Sequence, residues 1–206
     1  MTSLLIDTCT NNVIIGLLEN LKLIDKVVQA NDKNLSTNFV MMIDELLKKN
    51  SLDIKSIDTI FVAVGPGSFT GIRVGVTFAK VMAWTLQKKV IPFSSLELMA
   101  TTDINTKLIV PLIDARRGYV FAGIYDQSLN RKIDDAYISL DDLMHYTSKF
   151  DDISYVSNDI FYFQTLPTDY NIEKLVQKHI NDDGANPHKL NPVYLKRTEA
   201  EEKLNN

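Results

Sequence analysis

The sequence predicts an α/β protein built from two copies of one plan. Three observations carry this. Residues 4–28 and 108–139 each read as an apolar strand ending in Asp, a short turn, and two further strands. Each region runs into a stretch with helical spacing. Between them, residues 59–87 read as strand, glycine turn and helix.

In order, the first strand is Leu4–Asp7, then a turn at Thr8–Asn12, the strand Val13–Leu18, a turn at Glu19-Asn20, and the strand Leu21–Val28. The helix Ser36–Lys49 follows, with Phe39, Val40, Ile43, Leu46 and Leu47 on one face. Thr59–Val64 is the next strand, the helix over 71–87 follows the glycine turn, and a short helix is expected at Ser94–Ala100. The polar stretch Thr101–Lys107 marks a boundary. The plan then recurs: Leu108–Asp114, a turn at Ala115–Gly118, Tyr119–Tyr125, a turn at Asp126–Asn130, Lys132–Ser139, and a helix Leu140–Lys149 with Asp141 as its cap. Three antiparallel strands followed by helix, strand and helix is the ribonuclease-H-like plan. Two such lobes side by side describe the actin, sugar-kinase and Hsp70 superfamily. The expected lobes are 1–103 and a smaller 104–198, with 199–206 a polar tail that frays. In that architecture Asp7 and Asp114 face the cleft between the lobes. The plainer reading is that each carboxylate stabilises its own turn.

Four of the eight glycines, Gly65, Gly67, Gly71 and Gly75, fall within eleven residues. The segment is not a Walker loop, because Gly71 is followed by Ile72 and Arg73 rather than Lys and Ser or Thr. It also lacks the acid about 20 residues on that a dinucleotide fingerprint requires; Lys88, Lys89 and Val90 lie there. Ser68 or Thr70 can cap the helix. Gly71 and Gly75, four apart, leave a bare stripe on one helix face. Two uses fit: a phosphate held on the helix start, or close packing of helix on sheet.

Composition narrows the function. A hydrophobic content of 45% fits a soluble globular chain, and a net charge of −4 weighs against a stand-alone nucleic-acid binder. The single cysteine, Cys9, allows no internal disulfide and fits a reducing cytosol. Met1–Asp7 carries no basic leader, and no run approaches membrane-spanning length, so a cytoplasmic protein is expected. His145, His179 and His188 match no metal-ligand spacing.

The motif Gly65-Pro-Gly-Ser-Phe-Thr-Gly-Ile-Arg-Val-Gly75 resembles the signature of the bacterial TsaB family, also called YeaZ. Ile6-Asp-Thr-Cys-Thr10, Ile113–Gly118 and Pro192-Val-Tyr-Leu-Lys196 match further family motifs, in the family order, over most of the chain. The segment before the first helix departs: Asn34-Leu-Ser-Thr37 stands where family members often carry His-Ser-Glu. The second half is also short for the family. The resemblance implies a non-catalytic subunit that dimerises with and activates TsaD. TsaD transfers a threonylcarbamoyl group to N6 of adenosine 37 in tRNAs reading codons that begin with A. A TsaE-like ATPase joins that pair, and tRNA meets this chain only through the complex. No cofactor and no metal are implied. The catalytic relative carries a His-x-x-x-His pair where this chain has Ser95 and Met99, and Glu97 alone cannot hold a metal. The alternative is an ATP-dependent phosphotransferase of the same superfamily. That would need a second glycine-bearing phosphate loop, where the chain has Asp114-Ala-Arg-Arg-Gly118. Arg116 and Arg117 read most simply as a solvated turn, and otherwise as an anion or partner contact.

The helix 71–87 has two faces. Ile72, Gly75, Ala79, Met82 and Leu86 can lie on the sheet, while Arg73, Thr77, Lys80 and Trp84 form a second stripe. The helix 36–49 has a similar second face with Asn38, Met41, Met42, Glu45 and Lys49. Trp and Arg dominate binding hot spots, and Met adapts to contact surfaces. Trp84 reads equally as a core residue at the rim. Two such helices can pair with two equivalents as a four-helix bundle. The resemblance implies that pairing with a TsaD-like partner; alone, the same faces can form a two-fold homodimer.

Overall fold

The computed structural model describes residues 1–31 and 34–196. Strands β1 (Thr2–Asp7), β2 (Asn12–Glu19), β3 (Lys22–Ala30), β4 (Thr59–Ala63) and β5 (Lys89–Phe93) form one sheet, ordered β3-β2-β1-β4-β5. β1 pairs antiparallel with β2 and parallel with β4, and β4 pairs parallel with β5. β1 and β4 are buried along their whole length, as strands covered on both faces are. β3 alternates between half-buried and exposed residues over most of its length and forms an edge.

Helix α1 (Leu35–Lys49) buries Leu35, Phe39, Met42, Ile43, Leu46 and Leu47. This corrects one expected position: Val40 is exposed, because the buried stripe runs through 35, 39, 42, 43, 46 and 47. Helix α2 (Phe69–Thr85) buries Gly71, Ile72, Gly75, Val76, Ala79 and Ala83; Met82 and Leu86 are half-buried. Ser68 is its cap, its Oγ accepting from the Gly71 amide at 3.3 Å. Helix α3 (Ser95–Met99) is capped by Ser94 in the same way.

The second sheet holds β6 (Leu108–Asp114), β7 (Tyr119–Asp126), β8 (Arg131–Ser139) and β9 (Ile153–Val156), ordered β8-β7-β6-β9. It repeats the first four positions of the first sheet, and in place of β5 it has a single parallel bridge from Leu166 to Val156 of β9. Helix α4 (Leu140–Thr147) is capped by Ser139, whose Oγ accepts from the Asp142 amide, so the expected cap Asp141 sits within the first turn. Helix α5 (Ile172–His179) crosses back to the first sheet. Its Ile172 packs where a Cβ on Gly16 would lie, and the Glu173 carboxylate accepts from the Leu23 amide at 3.0 Å. Gly16 faces away from α2, because its neighbour Ile15 pairs with Ile6 on the α2 side. The first sheet is thus covered on both faces.

The C-terminal segment 185–196 acts as a strap. The Ala185 amide bonds the Val90 carbonyl, and the Val193 amide bonds the Val64 carbonyl, both at 2.8 Å. A 3₁₀ turn at Pro187–Lys189 lies against α2. The expected tail 199–206 lies outside the described residues.

Candidate functional site

Two surfaces converge on the start of α2. The first begins at the glycine turn. Gly65 and Gly67 have φ of +119° and +148°, a region that side chains rarely adopt. A Cβ on Gly71 would run into the Thr8 carbonyl oxygen, and one on Gly75 would lie 2.6 Å from Thr8 Oγ1. The Thr8 hydroxyl donates to the Gly71 carbonyl at 2.7 Å, and the Ser68 amide donates to the Cys9 carbonyl at 2.6 Å. The turn therefore spends backbone groups on the neighbouring β1–β2 turn, which favours the packing use over a phosphate cradle.

The turns after β1 and β6 repeat one device. Asp7 Oδ1 accepts from the Cys9 amide at 2.7 Å, and Asp114 Oδ1 accepts from the Arg116 amide at 2.8 Å. Their surroundings differ. Asp7 is buried, its second oxygen has no partner, and burial pushes its carboxyl up to about 6. Burial also pushes the Cys9 thiol well up. Asp114 is exposed and lines a cleft of about 620 Å³ between the sheets, together with Thr10, Asn11, Ser68, Arg116, Asp159 and Lys196. Only one of the two matched aspartates reaches that cleft.

Ser95 and Met99 are buried in α3. Glu97 receives Lys178 Nζ at 2.6 Å and His179 Nε2 at 2.8 Å. Burial pushes Glu97 upward, but those two bonds outweigh it and hold the carboxyl below its usual range. Bonding to Glu97 raises His179, against the opposing effect of burial. Its other ring nitrogen meets Asp182 Oδ2 at 2.6 Å, so both nitrogens face carboxylates, an arrangement that favours the imidazolium.

The second surface is the outer side of α1 and α2. A groove of about 560 Å³ runs between them, lined by Phe39, Val40, Phe69, Val74, Thr77, Phe78, Val81 and Met82, with Ser36, Thr70 and Arg73 at its polar margin. Val40 is 57% exposed, Met41 58%, Val81 49% and Trp84 56%. Asn38, Glu45, Thr77 and Lys80 are exposed or half-buried around it. Met42 is the correction: it is buried beneath Gln29, whose Nε2 meets its sulfur at 3.5 Å, and so it does not share the face of Met41. The stripe on α2 is partly committed to the strap. Arg73 Nε donates to the Tyr194 hydroxyl at 2.8 Å and its guanidinium stacks 3.8 Å over Phe69. Lys80 Nζ donates to the Leu190 carbonyl, and Trp84 meets the His188 ring edge-on. The apolar groove residues Val74 and Phe78, half-buried, and Val81, exposed, escaped the sequence reading, which followed the polar stripe; their signal was α2 carrying more apolar residues than one buried face needs.

A tRNA threonylcarbamoyladenosine biosynthesis protein TsaB of Bacillus subtilis is 35% identical over 155 residues, 73% of this chain and 68% of that protein. The chain belongs to the TsaB family. A TsaB of Haemophilus influenzae is 36% identical over 95 residues, 45% of this chain and 39% of that protein. The family model described as TsaD, tRNA N6-adenosine threonylcarbamoyltransferase, matches residues 22–201. YeaZ from Pseudomonas aeruginosa superposes with a TM-score of 0.74 at 19% identity, covering 94% of this chain and 99% of that one. A second Pseudomonas aeruginosa structure, described as similar to peptidase YEAZ, gives 0.78 at 20%, covering 95% and 99%. The fold of those two structures is that of this chain. Among the described residues no helix is long and apolar enough to cross a membrane, and no three His, Cys, Asp or Glu gather as a metal site.

Proposed function

We propose that this chain is the non-catalytic subunit that dimerises with, and activates, a TsaD-like subunit in N6-threonylcarbamoylation of tRNA adenosine 37. The observation that carries the reading is the groove between α1 and α2, an apolar surface of a kind that marks interaction sites. The partner's two equivalent helices lay against it, with Val40, Met41, Val74, Phe78 and Val81 at the centre. Asn38, Glu45, Arg73, Thr77, Lys80 and Trp84 form the rim. The same face closes a homodimer when the partner is absent, and a TsaE-like ATPase completes the assembly that receives tRNA. Titrating the TsaD-like subunit of the same cell into wild type and a folded Val81→Glu variant tests this. A burial-dependent contact at that position loses on the order of 2 kcal/mol or more, about 30-fold in Kd. Equal affinity moves the interface elsewhere.

A further inference from the structure

The turn between β6 and β7 has an unusual backbone. Arg116, Arg117 and Gly118 hold φ of +66°, +57° and +77° in succession. Only the glycine is at ease there; Asn or Gly would sit more comfortably at both arginine positions. The turn thus carries two arginines where their side chains are costly to the backbone. Immediately after it, Tyr119 stacks on Tyr137 with centroids 4.7 Å apart and planes within 13°. Tyr119 keeps 39% of its surface exposed. Lys196, brought by the strap, sits 5.2 Å from the Tyr137 ring and reaches the Ala115 carbonyl. Arg116 and Lys196 both line the cleft between the sheets. Asp114 and Asp159 share that rim, and their carboxylates, held by neutral amide donors, set two negative charges beside the two cations. Asp159 accepts from the Asp114 amide at 2.7 Å and from Asn11, and Asp114 accepts from the Arg116 amide.

We propose that Arg116, Tyr119, Tyr137 and Lys196 form a contact site for single-stranded RNA, with a base stacked on Tyr119 and the adjoining phosphates held by Arg116 and Lys196. Cations beside an open aromatic face are the chemistry by which proteins hold unpaired nucleotides without reading their sequence. This goes beyond the function proposed above, in which RNA meets the chain only through its partner. The choice of RNA over another polyanion rests on that function; the stacking geometry does not.

The experiment is an NMR titration of the full chain with an unstructured ribohexamer of adenosine and uridine, run without the partner. Shifts are expected at Gly118, Tyr119, Tyr137 and Lys196, with affinity falling as salt is raised from about 50 to 200 mM. Arg116→Asn and Tyr119→Leu each weaken binding by about 5-fold or more. Arg116→Asn leaves the melting temperature unchanged or raises it, because Asn tolerates the left-handed backbone. A structural role for Arg116 predicts the opposite sign. The proposal is overturned if the shifts lie elsewhere or are absent. It is also overturned if Arg116→Asn binds as wild type, or if Tyr119→Leu has no effect and only an anion patch remains. Loss of affinity for the TsaD-like subunit in Arg116→Asn would assign the turn to the protein partner and equally overturn it. A wild-type chain that shows these RNA shifts but ignores the TsaD-like subunit would sink the proposed function and leave this site standing.

Discussion

Gly75→Ala is the smallest change that tests how α2 is seated. The added methyl would lie 2.6 Å from Thr8 Oγ1 and 3.4 Å from Ile6 Cγ2, both in the buried seam between α2 and β1. Thr8 cannot simply swing away, because its hydroxyl holds the Gly71 carbonyl at 2.7 Å. Overpacking of a filled core costs about 1–3 kcal/mol, and disturbing that buried hydrogen bond about 1 kcal/mol or more. Ala gains back roughly 1 kcal/mol of helix propensity over Gly. The net loss is about 1–3 kcal/mol, or roughly 2–12 °C in melting temperature for a chain of this size. Thermal and urea unfolding followed by circular dichroism measure it. The double variant sharpens the test. In a Thr8→Ala background the obstructing oxygen is gone, so Gly75→Ala becomes neutral or stabilises by up to about 1 kcal/mol. If Gly75→Ala stabilises the wild type, or costs the same in both backgrounds, the close-packing account of the glycine stripe is wrong.

Other outcomes follow from the same geometry. The folded state raises His179, so its stabilising contribution is complete below about pH 6.5 and is lost as pH rises through the folded value. The melting temperature of wild type should exceed that of His179→Gln most near pH 6, with the gap closing in alkaline buffer; a gap that widens with pH would contradict the imidazolium. Asp7 is raised to about 6 by burial, so its contribution is likewise present at low pH and lost through that value. Asp7→Asn should therefore flatten the fall in stability between about pH 4 and 6. Calorimetry with ATP and Mg²⁺ should show no binding tighter than roughly millimolar, about −4 kcal/mol, because the backbone groups of the glycine turn are spent on the β1–β2 turn and leave no phosphate cradle. Micromolar binding would favour the phosphotransferase reading.

The repeated meander, the strand–glycine turn–helix segment and the ends of most elements were legible because apolar period and turn residues are local signals. The matched Asp turns were legible as turns, but not that Asp7 is buried while only Asp114 reaches the cleft. What the sequence hid depends on distant pairing. Nothing local to Ile172–His179 says that α5 returns to the first sheet, since any apolar seam would accept its buried face. The strap is equally opaque: Tyr194 reaches Arg73 and Lys196 reaches Ala115 only because the chain has already crossed both lobes. Met41 and Met42 show the limit at one-residue scale. Neighbours on a helix differ by about 100° in direction, so the same composition leaves one exposed and buries the other.

Isothermal titration of the TsaD-like subunit into this chain, comparing wild type with a folded Val40→Glu, Val81→Glu double variant, bears most directly on the central claim. The account predicts a one-to-one complex for wild type and a loss of about 30-fold or more in affinity for the double variant, with the melting temperature of the free chain preserved. Wild-type affinity in the folded double variant would contradict it.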